Sequence, residues 1–575
     1  MDISLAISDL GDLVMAATAR LPLRIFLLLV LMIATALNSA GQATALSEEA
    51  ACHALLRLPN LTILSAEITE ANGTTPRYCH VTGLISPGIH WHAQLPLPAN
   101  WNGKLLNIGN GGKAGNLVYD SEHLTQGYAV ANSNTGHDNG SEPYASFAFA
   151  NEQALIDFAY RAVHVTANAS KTLVKAYYGK PQRYAYWQGC SQGGRQGMME
   201  AQRFPEDFDG IAVTAPVFSY ERLNIEDLWS LQLLMKDHFA GNLAYDVSGD
   251  GTYKSLTKLE ILRKAVLDKC DARDGIKDGI VSDPESCNFN PDTDLADKMC
   301  PGDKNADTCF TKVQVQTIKK LYAGPHDSKG VRIFNGLAYG SEFSWPENVI
   351  PYGGNNLTPS HLIYEVDHVN FLFFEHSPGV APTNIKDLSF PPDKKAPFPE
   401  YAWWEFNIDD VTAGKGDSKS KLLDATYPDL TRFLNRHNGK LIFYQGWGDG
   451  DAYPGAIIDY YKEMVKATFN GDSAAAANKT RLFMAPGMGH CGGGPGPNEW
   501  DKLAPLAEWV ENGKAPDYVV AVHRSDKRNG VPTDAPVDDE RKLCPYPQQA
   551  VYQGPAGGQN DSRNWVAANF VCKAQ

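Results

Sequence analysis

The sequence predicts an α/β fold carrying a large insertion. Three features point there: short apolar runs bounded by Gly, Pro and Asn near both ends of the chain, helix-period patterns between them, and a break in that alternation from about residue 222 to 425. Strands alternating with helices imply a largely parallel sheet covered on both faces.

The early strands are expected in "KLLNIG" (104 to 109), "YAVANS" (128 to 133), "RYAYWQG" (183 to 189) and "GIAVTAP" (210 to 216), and the late ones in "KLIFYQG" (440 to 446) and "TRLFMAPG" (480 to 487). Apolar residues recurring at three and four predict helices over 152 to 179 and 193 to 205. The stretch "GDSAAAANK" (471 to 479) reads as a surface linker or helix end. The middle holds four cysteines, an Asp-rich loop and aromatic stretches such as "FPEYAWWEF" (398 to 406). The expected organisation is therefore a segment 46–221, an inserted lid 222–425, and a closing segment 426–575.

Arg20 and Arg24 precede the thirteen-residue run "IFLLLVLMIATAL" (25 to 37), and the small residues "ATA" (43 to 45) follow. This reads as a secretory signal peptide over residues 1–45, since spanning a bilayer takes roughly 20 apolar residues. The acids in "MDISLAISDLGDL" are unlike a basic leader, so Met15 is the more conventional start. The mature chain is expected to be secreted or periplasmic, without a membrane anchor. A formal charge of -15, with no basic block to neutralise phosphates, disfavours a nucleic-acid partner.

Ten cysteines, all beyond the signal, suit an oxidising compartment. Position in the chain suggests Cys52 with Cys79, Cys270 with Cys287, Cys300 with Cys309 and Cys544 with Cys572, leaving Cys190 for Cys491.

The chemistry is read from "GCSQG" (189 to 193), a G-x-S-x-G placed after an apolar strand and before a helix. That setting lifts the Ser191 hydroxyl out of the sheet on a tight turn. A serine needs a base to take its proton and a carboxylate to orient that base, in the chain order Ser, Asp, His for this architecture, the α/β-hydrolase fold. His490, in the Gly-rich loop after the last strand, is the base. Asp449 follows the strand 440 to 446; Asp451 and Asp459 are its rivals, Asp459 on an expected helix. If Ser191 and His490 approach within hydrogen-bond reach, their neighbours Cys190 and Cys491 come close enough to bridge. The Gln192 amide and the loop "GNGGKAG" (109 to 115), Gly112 in particular, are candidate oxyanion donors.

In the insertion, "CDARDGIKDGIVSDPESC" (270 to 287) places Asp271, Asp274 and Asp278 within eight residues on a Gly-containing loop. Such hard oxygens suit calcium, with the carbonyls of Ile276 and Ile280 as further ligands, although the spacing is not that of an EF-hand. A solvated acidic turn is the alternative. Trp403 and Trp404 are candidates for the wall of an apolar acyl pocket or for core packing.

The motifs "GCSQGG", "CDARDGIKDGI", "YQGWGD", "PGMGHCGGGPGP" and "CPYPQQAVYQG", in this order, resemble the tannase and feruloyl esterase family, which includes the bacterial hydrolase of mono(2-hydroxyethyl) terephthalate. The resemblance implies a triad of Ser191, Asp449 and His490, a Cys190–Cys491 disulfide, and structural calcium at Asp271, Asp274, Ile276, Asp278 and Ile280. It also implies a small aromatic ester as substrate: galloyl, hydroxycinnamoyl or terephthalate-type. Many relatives carry Pro soon after the catalytic Asp where this chain has Gly450 and Asp451, which keeps Asp451 open as the acid. A serine peptidase of the same fold and an inactive calcium-dependent binding protein are the competing functions.

Overall fold

The computed structural model describes residues 48–138, 145–353, 359–373, 406–524 and 535–574. The expected signal peptide, Trp403 and Trp404 lie outside them.

The fold is of the α/β-hydrolase type, built on one nine-stranded mixed sheet. Its strands are β1 (Thr62–Thr69), β2 (Tyr78–Ile85), β3 (Ile89–Pro96), β4 (Lys104–Ile108), β5 (Ala129–Ser133), β6 (Tyr184–Cys190), β7 (Gly210–Thr214), β8 (Lys440–Gly446) and β9 (Thr480–Ala485). In space they run β1-β2-β3-β5-β4-β6-β7-β8-β9. The six strands β4 to β9 are parallel. The sheet is not parallel throughout, because β1, β2 and β3 form an antiparallel flank joined to β5.

Alternate residues explain why the central runs are apolar throughout. Trp187, Ile211, Val213, Leu441 and Phe443 enter the core on one face, and Tyr186, Ala212, Ile442, Tyr444 and Phe483 enter the core on the other. Each such burial contributes about 1.5–3 kcal/mol, so this sheet is stable only with both faces covered. The covering helices include α1 (Ala162–Tyr178), α2 (Gln192–Arg203), the later Pro454–Phe469 and Ala504–Asn512. A short helix, Ser473–Ala477, occupies the stretch expected as a linker or helix end.

After Thr214 the chain leaves the sheet and returns at Lys440. The described part of that excursion is helical: α3 (Tyr220–Phe239), α4 (Thr257–Cys270), α5 (Lys312–Ala323) and α6 (Ser360–His368). Five disulfides join Cys52 to Cys79, Cys190 to Cys491, Cys270 to Cys287, Cys300 to Cys309 and Cys544 to Cys572. No helix among the described residues is long and apolar enough to cross a membrane.

Candidate active site

Ser191 stands between the end of β6 and the first residue of α2, with φ 59° and ψ -123°. A non-glycine residue held there stores roughly 1–3 kcal/mol of strain, and the neighbours explain how it is held. The Ser191 N–H donates to the Thr214 carbonyl at 3.0 Å, and its own carbonyl accepts from Arg195 N at 3.0 Å. The flanking glycines permit the close approach: a Cβ on Gly189 would lie 2.4 Å from the Gly193 carbonyl oxygen, and one on Gly193 would lie 3.0 Å from Gly109 Cα.

The elbow is braced from beneath by Arg195, which the sequence reading missed. Its fully buried guanidinium donates to Gln192 Oε1 at 2.7 Å and to the carbonyls of Phe158, Ala159 and Leu423 at 2.6–3.0 Å. Burial pulls it down to about 10, yet it stays a cation at neutral pH.

Asp449 follows β8 and is wholly buried. Its Oδ1 accepts the N–H groups of Asp451 and Ala452 at 2.9 and 2.8 Å, and Oδ2 accepts Gln445 Nε2 at 3.0 Å. Both oxygens lie 3.1 Å from His490 Nδ1. Asp451 makes its hydrogen bonds elsewhere: its carboxylate accepts from Asn348 Nδ2 at 2.8 Å and contacts His361 Nε2 at 2.8 Å, while staying within 4.8 Å of the Asp449 and His490 ligand atoms. Asp459 is distant in role, pairing with Arg332 and Asn335. Of the three acids, Asp449 is the one that holds the imidazole.

His490 sits on a loop that folds back on β8, where Gly448 N donates to the Met488 carbonyl at 2.9 Å. A Cβ at Gly446 would lie 2.3 Å from the same carbonyl oxygen, so glycine there lets the two loops meet. The bridge from Cys190 to Cys491, with Cα atoms 5.9 Å apart, links segments separated by 301 residues. It ties the serine turn to the histidine loop directly.

Ser191, Gln192 and His490 line a cavity of about 450 Å³ together with the loop from Gly109 to Gly112. Within that loop, Gly109 N donates to the Gln188 carbonyl and Asn110 N donates to Gln196 Oε1. Those two amides are already paired, which leaves the amides of residues 111 and 112 as the loop's candidate oxyanion donors.

The Asp-rich loop lies against the C-terminal hairpin of β10 (Val519–Arg524) and β11 (Val537–Leu543). Asp271 accepts the amides of Asp278 and Gly279, both at 3.1 Å. Asp274 accepts Ser282 Oγ at 2.7 Å and, at 3.2 Å, Arg541 of β11, which also pairs with Asp278. Asp539 approaches the same guanidinium at 3.3 Å. Burial and Asp278 together push the Asp271 carboxyl up to about 7.

Among the described residues, potential metal-ligand atoms converge at Asp449, Asp451 and His490 and at His164, Glu200 and Asp207; in the second group His164 Nδ1 contacts Asp207 at 2.6 Å and Lys171 sits 3.4 Å from that same carboxylate.

The sequence profile described as "Tannase and feruloyl esterase" matches residues 73–568. The chain belongs to the tannase and feruloyl esterase family. It is therefore a carboxylic ester hydrolase. The esterase is 32% identical to an uncharacterised esterase of Xanthomonas campestris pv. campestris, covering 92% of each chain. It is 32% identical to the mono(2-hydroxyethyl) terephthalate hydrolase of Piscinibacter sakaiensis, covering 89% of this chain and 87% of that one. Its fold superimposes on the crystal structure of feruloyl esterase B from Aspergillus oryzae with a TM-score of 0.72 at 24% identity, covering 91% of this chain and all of that one.

Proposed function

We propose that this chain is a secreted serine esterase that cleaves esters of aromatic acids through an acyl-enzyme. The observation that carries the reading is His490 Nδ1 held at 3.1 Å by both oxygens of buried Asp449, in a cavity shared with Ser191. With Nδ1 engaged, Nε2 is the nitrogen that takes the Ser191 proton as the hydroxyl oxygen attacks the ester carbonyl. The negative charge passes to the carbonyl oxygen, which the amides of Gln192 and of residue 111 or 112 stabilise. His490 returns the proton to the leaving alcohol, and a water activated the same way releases the acid. Five disulfides support an oxidising compartment.

Calcium at the Asp271 loop is the second part of the proposal. The donor types suit a hard divalent cation: Asp274, Asp278 and nearby Asp539 place three carboxylates against one guanidinium, Arg541, and Asp271 adds a fourth beside Asp278. The carbonyls of Ile276 and Ile280 would complete the set. Calcium bound there would neutralise charge and stiffen the contact between insertion and tail, away from the reacting carbonyl.

The test is hydrolysis of methyl gallate, methyl ferulate and a terephthalate monoester by the wild type beside Ser191→Ala. Turnover abolished in the variant is expected. Activity retained without the serine hydroxyl, or no turnover of any ester by the wild type, would sink the reading.

A further inference from the structure

One part of the cavity wall is acidic, although relatives of this esterase are named for acyl groups as different as ferulate and a terephthalate monoester. Asp227 from α3, His361 and Glu365 from α6, and Asp451 beside the triad acid all line it. They form a connected group: His361 Nε2 lies 2.8 Å from Asp451, its Nδ1 lies 3.3 Å from Asp227, and Tyr453 donates to Asp227 at 2.9 Å. Behind Asp227, Glu226 accepts from Ser230 at 2.8 Å. The cation acting on Glu365 is Lys113, fully buried, whose Nζ donates to the Tyr364 carbonyl at 2.6 Å.

One atom of this group points to a ligand. Glu365 is 2% exposed, belongs to the cavity wall, and its Oε2 has no hydrogen-bond partner. A buried carboxyl oxygen left so costs about 1–3 kcal/mol or more, which a substrate group entering the cavity would recover. Burial and the neighbouring acids hold the Glu365 and Asp227 carboxyls well above the usual carboxylate range.

We infer that Glu365 and Asp227 form a subsite for ring hydroxyls of the acyl group, and that this wall disfavours acyl groups bearing a free carboxylate. A phenolic hydroxyl both donates and accepts, so it pairs with a carboxyl in either protonation state. A terephthalate carboxylate only accepts, and it would bring one more negative charge into a wall of buried acids. Asn224, also on the cavity wall, donates Nδ2 to the Tyr220 carbonyl at 2.6 Å and adds a neutral polar group to the lining.

The inference rests on the serine esterase reading, and the experiment separates the two. Initial rates would be compared for methyl benzoate, methyl 4-hydroxybenzoate, methyl 3,4-dihydroxybenzoate and monomethyl terephthalate, using wild type, Ser191→Ala and Glu365→Gln. For the wild type we expect kcat/KM for the dihydroxy ester to exceed that for the benzoate by roughly 10-fold or more, with the terephthalate ester below the benzoate by a similar factor. Glu365→Gln should narrow both ratios. A terephthalate ester turned over as well as the benzoate, or hydroxyls that bring no gain, overturns the subsite even when Ser191→Ala is dead. Activity surviving in Ser191→Ala overturns the catalytic reading instead, and a wild type inert toward all four takes both down. The wild-type ranking decides the matter even where Glu365→Gln fails to fold.

Discussion

Replacing Asp449 by Asn removes one charge and almost no volume, so its effect can be worked out atom by atom. The Asn oxygen would keep the Oδ1 position, where two backbone amides donate at 2.8 and 2.9 Å. Its NH2 then takes the Oδ2 position, facing His490 Nδ1 at 3.1 Å and Gln445 Nε2 at 3.0 Å. Donating to Nδ1 puts the imidazole proton on Nε2, the nitrogen that must accept the serine proton. The expected loss in kcat/KM is on the order of 10⁴-fold, or about 5.5 kcal/mol at 1.36 kcal/mol per decade.

Stability should fall far less. The displaced Gln445 amide already reaches the carbonyl oxygens of Ala452 at 2.7 Å and Gly446 at 3.3 Å, which limits the cost to about 1 kcal/mol. The assay is kcat/KM on the best of the aromatic esters for wild type, Asp449→Asn and Asp451→Asn, with urea midpoints measured alongside. Asp451→Asn should lose far less, because its carboxylate hydrogen-bonds His361 and Asn348 and acts on His490 only through space. An Asp451→Asn loss equal to that of Asp449→Asn would refute the assignment of the acid.

Three further outcomes follow from the same geometry. The double variant Cys190→Ala, Cys491→Ala should lose roughly 10-fold or more in activity, since small misplacements of reacting groups are costly, and about 2–4 kcal/mol in stability; unchanged kcat/KM would show the bridge is not needed to place the loops. Gly109→Ala would set a Cβ 2.4 Å from Gly193 Cα, so about 100-fold lower kcat/KM is expected from separation of elbow and oxyanion loop. Gly179→Ala, where φ is +69° and no atom lies within 4 Å, should instead leave kcat/KM at the wild-type value; equal losses in the two would remove the argument from backbone contact. Chelation with EGTA should lower Tm, with recovery on adding calcium and not magnesium; an indifferent Tm would leave the Asp271 loop as a structure held by Arg541 alone.

How far the sequence could be read depended on whether a residue's partners were close in the chain or encoded by a type pattern. The six parallel strands were legible because burial on both faces requires uninterrupted apolar runs, as in "KLIFY". Strands β1 to β3 were not: β3 reads "IHWHAQLP", and its His92 and Gln94 are buried only because Val118 and Asp120 come back to meet them, at 2.7 and 2.8 Å. Ser191 and His490 announced themselves through glycines that serve backbone contact. Arg195, Glu365 and His361 carried no such sign, since a charged residue on a helix reads as solvated until the tertiary fold buries it. Arg541 is the same case: in "VDDERKL" nothing indicates that acids more than 260 residues earlier will enclose it.

The choice between Asp449 and Asp451, open from sequence, turns on which group each residue offers. Asp451 contributes its backbone N–H to Asp449 Oδ1 and its side chain to His361 of α6. Asp449, the proposed triad acid, is thus held by the same residue that contacts α6 at the cavity wall. Because α6 also carries Glu365, any change in how that helix seats acts on two things together: the set of donors around Asp449 and the position of the acidic wall. On the proposed assignment, selection of the acyl group and orientation of His490 would be joined through Asp451, which gives an acid two positions from Asp449 a place beside the triad rather than in it.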